Sequence, residues 1–224
     1  MIIPDKLPTE NARGYAYRVL RQNIVNLELE PGSVISENET ASLMHLSRTP
    51  VREALIELSK NGLVEIQPQR GSYISKIDYA IIEEAKFVRL VLELAVLRIA
   101  CVSIPKEYSI KINANLASQE LCLEQEKGLE LIYLDNEFHR LLFEAVRKQW
   151  SYNLLSSQMM HFDRLRVLAM KALDHARTVT DHHEICRAIE NHDRDLAESL
   201  MSQHLSRHAL EKEELMGRYP DYFK

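Results

Sequence analysis

Apolar residues recur at helical spacing along most of the chain. Near the N-terminus, residues 13–29 carry an apolar stripe that consists of Tyr17, Leu20, Ile24 and Leu27. Steps of three or four residues are typical of one face of an amphipathic helix. Pro31-Gly32 then ends the helix, since both residues interrupt helical structure.

Two more short helices are predicted before residue 62. Ser36 precedes Glu39 by three residues, a capping-box pattern that begins a helix reaching about His45. Its expected core contacts are Leu43 and Leu46. A third helix follows Ser47 and runs to about Lys60, and its expected inner face consists of Val51, Leu55 and Leu58. Asn61-Gly62 ends this helix.

Alternating polarity occurs directly after the third helix. LVEIQ (residues 63–67) and SYISKI (residues 72–77) have the two-residue period of strands, and PQRG between them predicts a turn. Three short helices followed by a small hairpin indicate a winged helix-turn-helix, which we place in residues 1–78.

The remaining sequence is helical in pattern throughout. Asp78 is suited to cap a long helix, and Pro105 interrupts the pattern after it. The predicted helices cover residues 79–103, 106–126, 129–147, 151–173, 180–190 and 193–216. The sequence therefore predicts a mainly α protein in which an all-α helical bundle, residues 79–224, follows the winged helix-turn-helix.

Composition narrows the class of protein. The 224 residues include only six glycines and seven prolines, which favours long helices. No 18-residue apolar run and no signal peptide occur, and three widely spaced cysteines suit a reducing compartment, so we expect a cytoplasmic protein without a membrane span.

The net charge is −5, and residues 1–78 hold nine basic and ten acidic side chains. DNA binding would therefore depend on a local basic patch.

Such a patch occurs in LSRTPVREAL, residues 46–55. Here Arg48 and Arg52 are four residues apart at the start of the third helix and share one face. The second helix of a helix-turn-helix reads the major groove with its N-terminal residues, and arginine binds guanine through two parallel hydrogen bonds. Ser47 and Thr49 are suited to cap the helix or donate to phosphate, and Pro50 fits the first turn. The ten residues alone leave open an ordinary solvated face with Arg52 paired to a glutamate.

A second cluster of chemistry lies in the bundle. Asp135 and His139, in DNEFH, are four residues apart and share a helical face. His182 and His204 lie on either side of a turn predicted at 191–193. They are roughly 13 and 16 Å from that turn along their helices, so an antiparallel hairpin brings them level. Three imidazoles and a carboxylate suit zinc or another borderline divalent ion. Spacing alone leaves open a simple Asp135–His139 pair, and Cys186 is better explained as a core residue.

The first domain resembles the winged helix of the GntR family of bacterial transcription regulators. PGSVISENE resembles the family's PG-x-x-L-S-E segment, LSRTPVREALIELSKNGLVE is close to its most diagnostic stretch, and QRGSYI resembles the R-G-x-x-V of its wing. The departures are few; Asn38 and Thr40 replace more usual residues. The resemblance implies that the DNA contacts are Ser47, Arg48, Thr49, Pro50, Arg52, Gln69, Arg70 and Gly71.

The second domain resembles the FCD ligand-binding domain of the FadR-type branch of that family. HHEICRAI resembles the family's H-x-x-I-L-x-A-I, and LMSQHL resembles its L-M-x-x-H-L. The resemblance implies that the metal ligands are Asp135, His139, His182 and His204. This ligand set favours zinc as the ion, with nickel or manganese as alternatives, and the resemblance implies a small organic acid as effector. Arg89 is the expected carboxylate clamp, and an Arg89–Glu93 pair is the alternative; Arg140 and Arg166 are weaker candidates.

Together these expectations describe a homodimeric repressor that binds double-stranded operator DNA under effector control. A regulator for which the metal itself is the signal is one alternative. A metal-dependent hydrolase is another, but Glu137, the nearest candidate base, should point about 160° away from the ligand face. We therefore do not expect an enzyme.

Overall fold

The structure is a computed structural model that describes residues 1–170, 176–206 and 212–224. The described chain is mainly helical, with one small sheet near its N-terminus, and this is the predicted fold class. Parts of two predicted helices, at residues 171–173 and 207–211, lie outside the described residues. None of the described helices is both long enough and apolar enough to cross a lipid bilayer.

The N-terminal elements form the predicted winged helix-turn-helix. They are α1 (Ala12–Val25), β1 (Val34–Ile35), α2 (Glu37–Leu43), α3 (Arg48–Lys60), β2 (Val64–Gln67) and β3 (Gly71–Ile74). The sheet is antiparallel, and β3 lies between β1 and β2. The sequence does not predict β1, because two residues are too few to show an alternating pattern.

The core of this domain confirms most of the predicted inner faces. Fully buried side chains include Leu20, Ile24, Val51, Leu55 and Leu58. The prediction that Leu43 lies in the core is wrong, since this residue is 57% exposed. Helix α2 ends at that residue, and the buried positions are Thr40, Ala41 and Met44. Their spacing of one and three residues places them together on the inner face of the helix.

The C-terminal elements form a helical bundle. They are α4 (Tyr79–Ala100), α5 (Lys106–Glu124), α6 (Gly128–Ala145), α7 (Gln149–Gln158), α8 (Met160–Met170), α9 (Ala176–Glu190), α10 (Arg194–Ser206) and α11 (Lys212–Arg218), followed by a 3₁₀ turn, Pro220–Tyr222. The predicted cap of α4 is confirmed, because the Ala80 amide donates to Asp78 Oδ1 at 3.0 Å. The domain boundary at residue 78 itself stays a prediction.

One predicted helix, residues 151–173, is two helices in the structure. Helix α7 ends at Gln158, and α8 begins at Met160. The interruption allows Met160 to leave the bundle core and pack within the core of the winged helix. The sequence shows no glycine or proline here, so the pattern gave no reason to expect the break.

The predicted turn between α9 and α10 is confirmed. His192 has a left-handed backbone with φ of 56°, and the Asp193 amide donates to Ala188 O at 2.9 Å. The two helices pack against each other on either side of this turn. This hairpin places His182 of α9 beside His204 of α10.

Candidate metal centre and nucleic-acid interface

Four side chains from three helices converge in the bundle core. They are Asp135 and His139 of α6, His182 of α9 and His204 of α10, all buried. Their nearest nitrogen and oxygen atoms all lie within 4.8 Å of one another. The structure thus brings together the four residues that the sequence and the resemblance single out.

The spacing of these atoms suits a single metal ion. His204 Nε2 lies 3.3 Å from Nε2 of both His139 and His182, and Asp135 Oδ1 lies 3.4 Å from His182 Nε2. Ligands bound tetrahedrally at 2.0–2.1 Å are separated by about 3.3 Å. His204 Nε2 lies slightly farther from Asp135 Oδ1, at 3.9 Å. The four atoms therefore fit an ion with little rearrangement.

The other ring nitrogen of each histidine lies within 3.4 Å of an oxygen atom. His139 Nδ1 lies 2.8 Å from Glu93 Oε1, and His204 Nδ1 lies 3.4 Å from Asp181 Oδ2. His182 Nδ1 lies 2.7 Å from Gln119 Oε1. Oxygen acceptors at Nδ1 favour the tautomer with its proton there, which leaves each Nε2 with a free lone pair. Three lone pairs that face one another in a buried site repel unless a cation lies between them, so the donor set fits a metal.

The acceptor opposite His182 is itself held in orientation. The Gln119 amide nitrogen donates to Asn115 Oδ1 at 2.7 Å, and Asn115 donates to the carbonyl of Leu134 at 3.1 Å. This chain turns the Gln119 oxygen, and not its amide nitrogen, toward the imidazole. Sequence analysis missed Gln119 and Asp181; Asp181 directly precedes His182, but Gln119 carries no local signal.

Burial and charge keep Asp135, His139 and His182 in the protonation states that metal ligands need. Burial lowers the pKa of His139, and burial together with neighbouring His204 lowers the pKa of His182 well below its usual value. Burial alone would raise the pKa of Asp135, but Arg166 and the histidines outweigh it and hold that pKa well below the usual value. The two imidazoles are therefore neutral and the carboxylate is ionised at neutral pH.

Cys186 takes no part in this cluster. It is buried on α9, and burial raises the pKa of its thiol to about 12. Only a thiolate binds a metal well, and here the thiol stays protonated. This agrees with its interpretation as a core residue.

Two arginines lie beside the carboxylate of the cluster. Arg166 of α8 donates to Asp135 Oδ2 and to Asn136 Oδ1, the latter at 2.6 Å. Arg89 of α4 donates to Glu93 Oε1 at 3.2 Å, and its Nη2 lies 4.0 Å from Asp135 Oδ2. The alternative Arg89–Glu93 pair is thus formed, and Arg89 also borders the cluster. Arg140 lies elsewhere, paired with Glu137 and Glu144.

A cavity of about 390 Å³ adjoins the cluster. Arg89, Glu93 and His139 contribute to its wall, and apolar side chains contribute most of the rest. A volume of this size is within the range of small-molecule sites. Its lining also includes residues of α1, so the cavity lies between the bundle and the winged helix.

Helix α8 connects the cluster to the winged helix. From this helix Arg166 donates to Asp135, and Arg164, two residues earlier, donates to the carbonyl of Ser75 at 2.6 Å. His161 Nε2 lies 3.1 Å from the carbonyl of Gly62, just beyond α3. Sequence analysis missed both contacts, because residues about 90 to 100 positions apart give no local pattern.

We expect the His161 contact to weaken the fold at mildly acidic pH. Burial lowers the pKa of His161 to about 4, against 6.5 for a free imidazole. The folded protein keeps His161 neutral, while the unfolded chain takes up a proton below pH 6.5, so stability present at pH 7 is lost as pH falls toward 4. Between pH 7 and pH 5 the loss is about 2 kcal/mol.

Urea unfolding at both pH values, with His161→Gln as the comparison, measures this contribution. The variant cannot titrate at this position, so its free energy of unfolding should fall by about 2 kcal/mol less than that of the parent protein. Equal falls in the two proteins would show that His161 is not a buried neutral group.

The start of α3 is an exposed basic surface. Arg48, at its first position, has a side chain that is 67% exposed and lies 3.4 Å from Glu37. Thr49 and Arg52 are also exposed, and the inward face of the helix holds Val51 and Leu55. Ser47 occupies the N-cap position, but its side chain makes no capping hydrogen bond. The expected cap is therefore absent, and Ser47 is exposed like the two arginines.

The predicted wing tip is also exposed. Gln69 and Gly71 have positive φ angles of 64° and 112°, and Arg70 lies between them. A glycine at the third position suits this left-handed turn, because it has no Cβ to strain the backbone. All three residues are exposed, at the turn that leads from β2 into the first residue of β3. A role in DNA contact stays a prediction for the residues of both surfaces.

Comparisons with known proteins match both domains. Residues 13–74 match the model of bacterial regulatory proteins of the gntR family, and residues 84–207 match the FCD domain. The HTH-type transcriptional repressor RspR of Escherichia coli K12 is 32% identical over 217 residues, which cover 96% of this chain and 95% of that protein. The gluconate operon transcriptional repressor of Bacillus subtilis 168 is 30% identical over 184 residues, 79% of this chain and 75% of that protein.

Solved structures share the architecture. E. coli McbR/YncC matches with a TM-score of 0.79 at 15% identity, covering 94% of this chain and 100% of that one. A GntR protein from Rhodococcus sp. RHA1 matches with a TM-score of 0.73 at 21% identity, covering 92% of this chain and 97% of the other. Identities this low show a common fold and no more.

Proposed function

This chain belongs to the GntR family of bacterial regulatory proteins, with an FCD domain after its winged helix, and from that premise we propose that it is a metal-dependent, carboxylate-responsive repressor. The family makes it a transcriptional regulator, and its relatives are regulators and not enzymes. The proposal adds the metal, the effector and the direction of control. One observation carries it: three imidazole Nε2 atoms and a carboxylate converge, while every Nδ1 lies within 3.4 Å of an oxygen atom.

Asp135, His139, His182 and His204 would hold the ion. Imidazole and carboxylate ligands favour zinc, with nickel or manganese as alternatives. When bound, the ion supplies a positive centre at which a small organic acid can place its carboxylate. Arg89 would then act as the second contact of that carboxylate, since it borders the cavity and lies within reach of the cluster.

Helix α8 would transmit occupancy of the cavity to the DNA-binding domain. Arg166 touches the ligand Asp135, and two turns or less away Arg164 and His161 touch the carbonyls of Ser75 and Gly62. A shift of α8 that follows a change at Asp135 would therefore displace the wing and the end of α3. Effector binding alters DNA affinity only if it favours one of these arrangements over the other.

At the DNA, the proposed contacts are those of the α3 N-terminus and the wing. Arg48 and Arg52 would enter the major groove, Ser47, Thr49 and Pro50 would lie near the backbone, and the tip would reach an adjacent groove. Those tip residues are Gln69, Arg70 and Gly71. Two chains, as a homodimer, would read two related half-sites.

A DNA titration tests the proposal. The duplex is selected from random sequence by the metal-loaded protein, and fluorescence anisotropy then measures Kd with and without a panel of small carboxylates. We expect one class of carboxylate to weaken binding by about 5- to 150-fold, and only when metal is present. DNA binding that tracks free metal but ignores every carboxylate would support a metal-responsive regulator instead. A carboxylate response that survives complete metal removal would contradict the proposal.

Arg164→Met should uncouple the two domains. Arg164 is fully buried, and within the described residues its one hydrogen bond is the donation to Ser75 O. Burial lowers its pKa to about 10, so it stays charged at neutral pH. Methionine keeps an unbranched apolar stem, although a shorter one, and cannot donate a hydrogen bond. We expect unchanged metal content and a carboxylate response that falls below about twofold, from the 5- to 150-fold of the parent.

The matched control is Arg187→Met on α9, where the arginine is exposed. It should keep the full carboxylate response, and circular dichroism should show both variants folded. An Arg164→Met protein that responds like its parent would remove Arg164 from the transmission route.

A further inference from the structure

The cavity beside the metal cluster is bounded by both domains. Its lining from the bundle includes Arg89 and His139, and its lining from the winged helix includes Arg21 and Gln22 of α1 and Asn26 just after that helix. Asn26 donates to the hydroxyl of Tyr133 at 2.9 Å, which joins α1 to α6 at this cavity. A molecule that fills the cavity therefore touches the DNA-binding domain directly.

The charges of the lining are balanced at all but one position. Arg18 pairs with Glu10 at 2.5 Å, Arg89 with Glu93, and Asp163 with Arg166. Arg21 differs, since its Nε donates to the sulfur of Met160 at 3.2 Å, and no carboxylate of the described residues lies within ion-pair distance of it. A thioether is a weak acceptor, whereas a guanidinium has five N–H donors. Arg21 thus has free capacity for an anion.

Most of the cavity surface is apolar. The apolar lining comes from Val25, Leu129, Ile132, Leu155, Met159 and Val167. A water molecule takes up about 30 Å³ of liquid, so a cavity of about 390 Å³ holds a molecule of roughly ten to fifteen non-hydrogen atoms. The space suits a short hydrocarbon chain that carries two charged groups.

We infer that the effector is an elongated dicarboxylate, bound by one carboxylate at the metal cluster and by the other at Arg21 of the winged helix. The site of the first carboxylate rests on the proposed function, and the role of Arg21 for the second carboxylate is new. Helix α1 packs directly against α3, where the DNA-reading arginines lie. The second carboxylate would therefore act on the helix that supports α3, in addition to the route through α8.

Isothermal titration of the metal-loaded full chain tests this assignment. The probes are linear dicarboxylates from glutarate to azelate, each compared with the monocarboxylate of equal carbon number. We expect one chain length to bind about tenfold or more tightly than its monocarboxylate, since a charged hydrogen-bonded pair contributes that much. Arg21→Gln should bring the dicarboxylate to the monocarboxylate's affinity and leave the monocarboxylate unchanged.

Two further variants make the result specific. Arg21→Lys keeps the charge and should keep most of the preference. Arg13→Gln lies on the same helix but pairs with Glu57 and is not part of the cavity, so it should bind every probe as the parent does. A dicarboxylate preference that survives Arg21→Gln, or no preference at any length, would overturn the assignment.

The outcomes separate this inference from the function on which it rests. Metal-dependent binding of monocarboxylates, without any preference for a second carboxylate, overturns the role of Arg21 and leaves the proposed function intact. If no mono- or dicarboxylate binds the metal-loaded protein, both the role of Arg21 and the proposed function fail.

Discussion

Replacing His182 with alanine is expected to remove the metal and lower the thermal midpoint by about 10 °C. His182 is fully buried, with Nε2 within 3.4 Å of both Asp135 Oδ1 and His204 Nε2, so its loss opens the centre of the ligand set. An ion that is present at 100 to 1,000 times its Kd stabilises the fold by about 3–4 kcal/mol. For a chain of this size each kcal/mol shifts the midpoint by about 2–4 °C.

The neighbouring histidine provides a matched control. His183 lies beside His182 in the sequence, but its side chain is 33% exposed and pairs with Glu120 at 2.8 Å. His183→Ala should keep about one ion per chain by elemental analysis and shift the midpoint little. Measuring both variants in excess chelator separates the metal's contribution, because the gap between His182→Ala and the parent should shrink to the cost of the cavity. Full metal content in His182→Ala would exclude this residue from the site.

Replacing both Arg48 and Arg52 with alanine should nearly abolish discrimination between operator and random DNA. Each bidentate arginine–guanine contact is worth about 1–3 kcal/mol, so the pair accounts for about 2–6 kcal/mol if the contributions add. Both side chains are exposed, and Val51 and Leu55 hold the helix from its other face, so the domain should remain folded. Competition binding against random duplex at fixed salt measures the ratio of the affinity for operator DNA to the affinity for random DNA.

Lys60→Ala supplies the comparison for these variants. Lys60 is an exposed base on the same helix, but twelve residues after Arg48 and so roughly 18 Å away along the axis. It should leave the specificity ratio unchanged. If the double arginine variant keeps its ratio, or if Lys60→Ala loses as much, α3 does not read the DNA with its N-terminus.

Local sequence patterns correctly predicted the features that depend on interactions between nearby residues. The Asp78 cap, the turn at residues 191–193 and the inner face of α3 each follow from residues within one or two turns. The same holds for the cluster itself, because Asp135 and His139 share a helical face and a single hairpin aligns His182 with His204. To predict that these residues of α6, α9 and α10 meet, the family resemblance was needed as well, since spacing alone allowed an ordinary Asp135–His139 ion pair.

Contacts between distant segments were not predictable in this way. Arg164 and Ser75 are 89 positions apart, His161 and Gly62 are 99 apart, and Gln119 and His182 are 63 apart. These contacts depend on how whole helices pack, and the break between α7 and α8 has no glycine or proline to signal it. The sequence therefore indicated the ligands of the candidate site, whereas the structure was needed for the groups that orient them and connect them to the winged helix.

X-ray absorption spectroscopy of the purified protein tests most directly whether one ion joins these four side chains. The absorption edge identifies the metal, and the fine structure gives its neighbours. We predict about one ion per chain, with imidazole nitrogen and carboxylate oxygen at about 2.0–2.2 Å. A sulfur neighbour at about 2.3 Å, which would bring Cys186 into the site, or a spectrum without imidazole scattering would contradict the account.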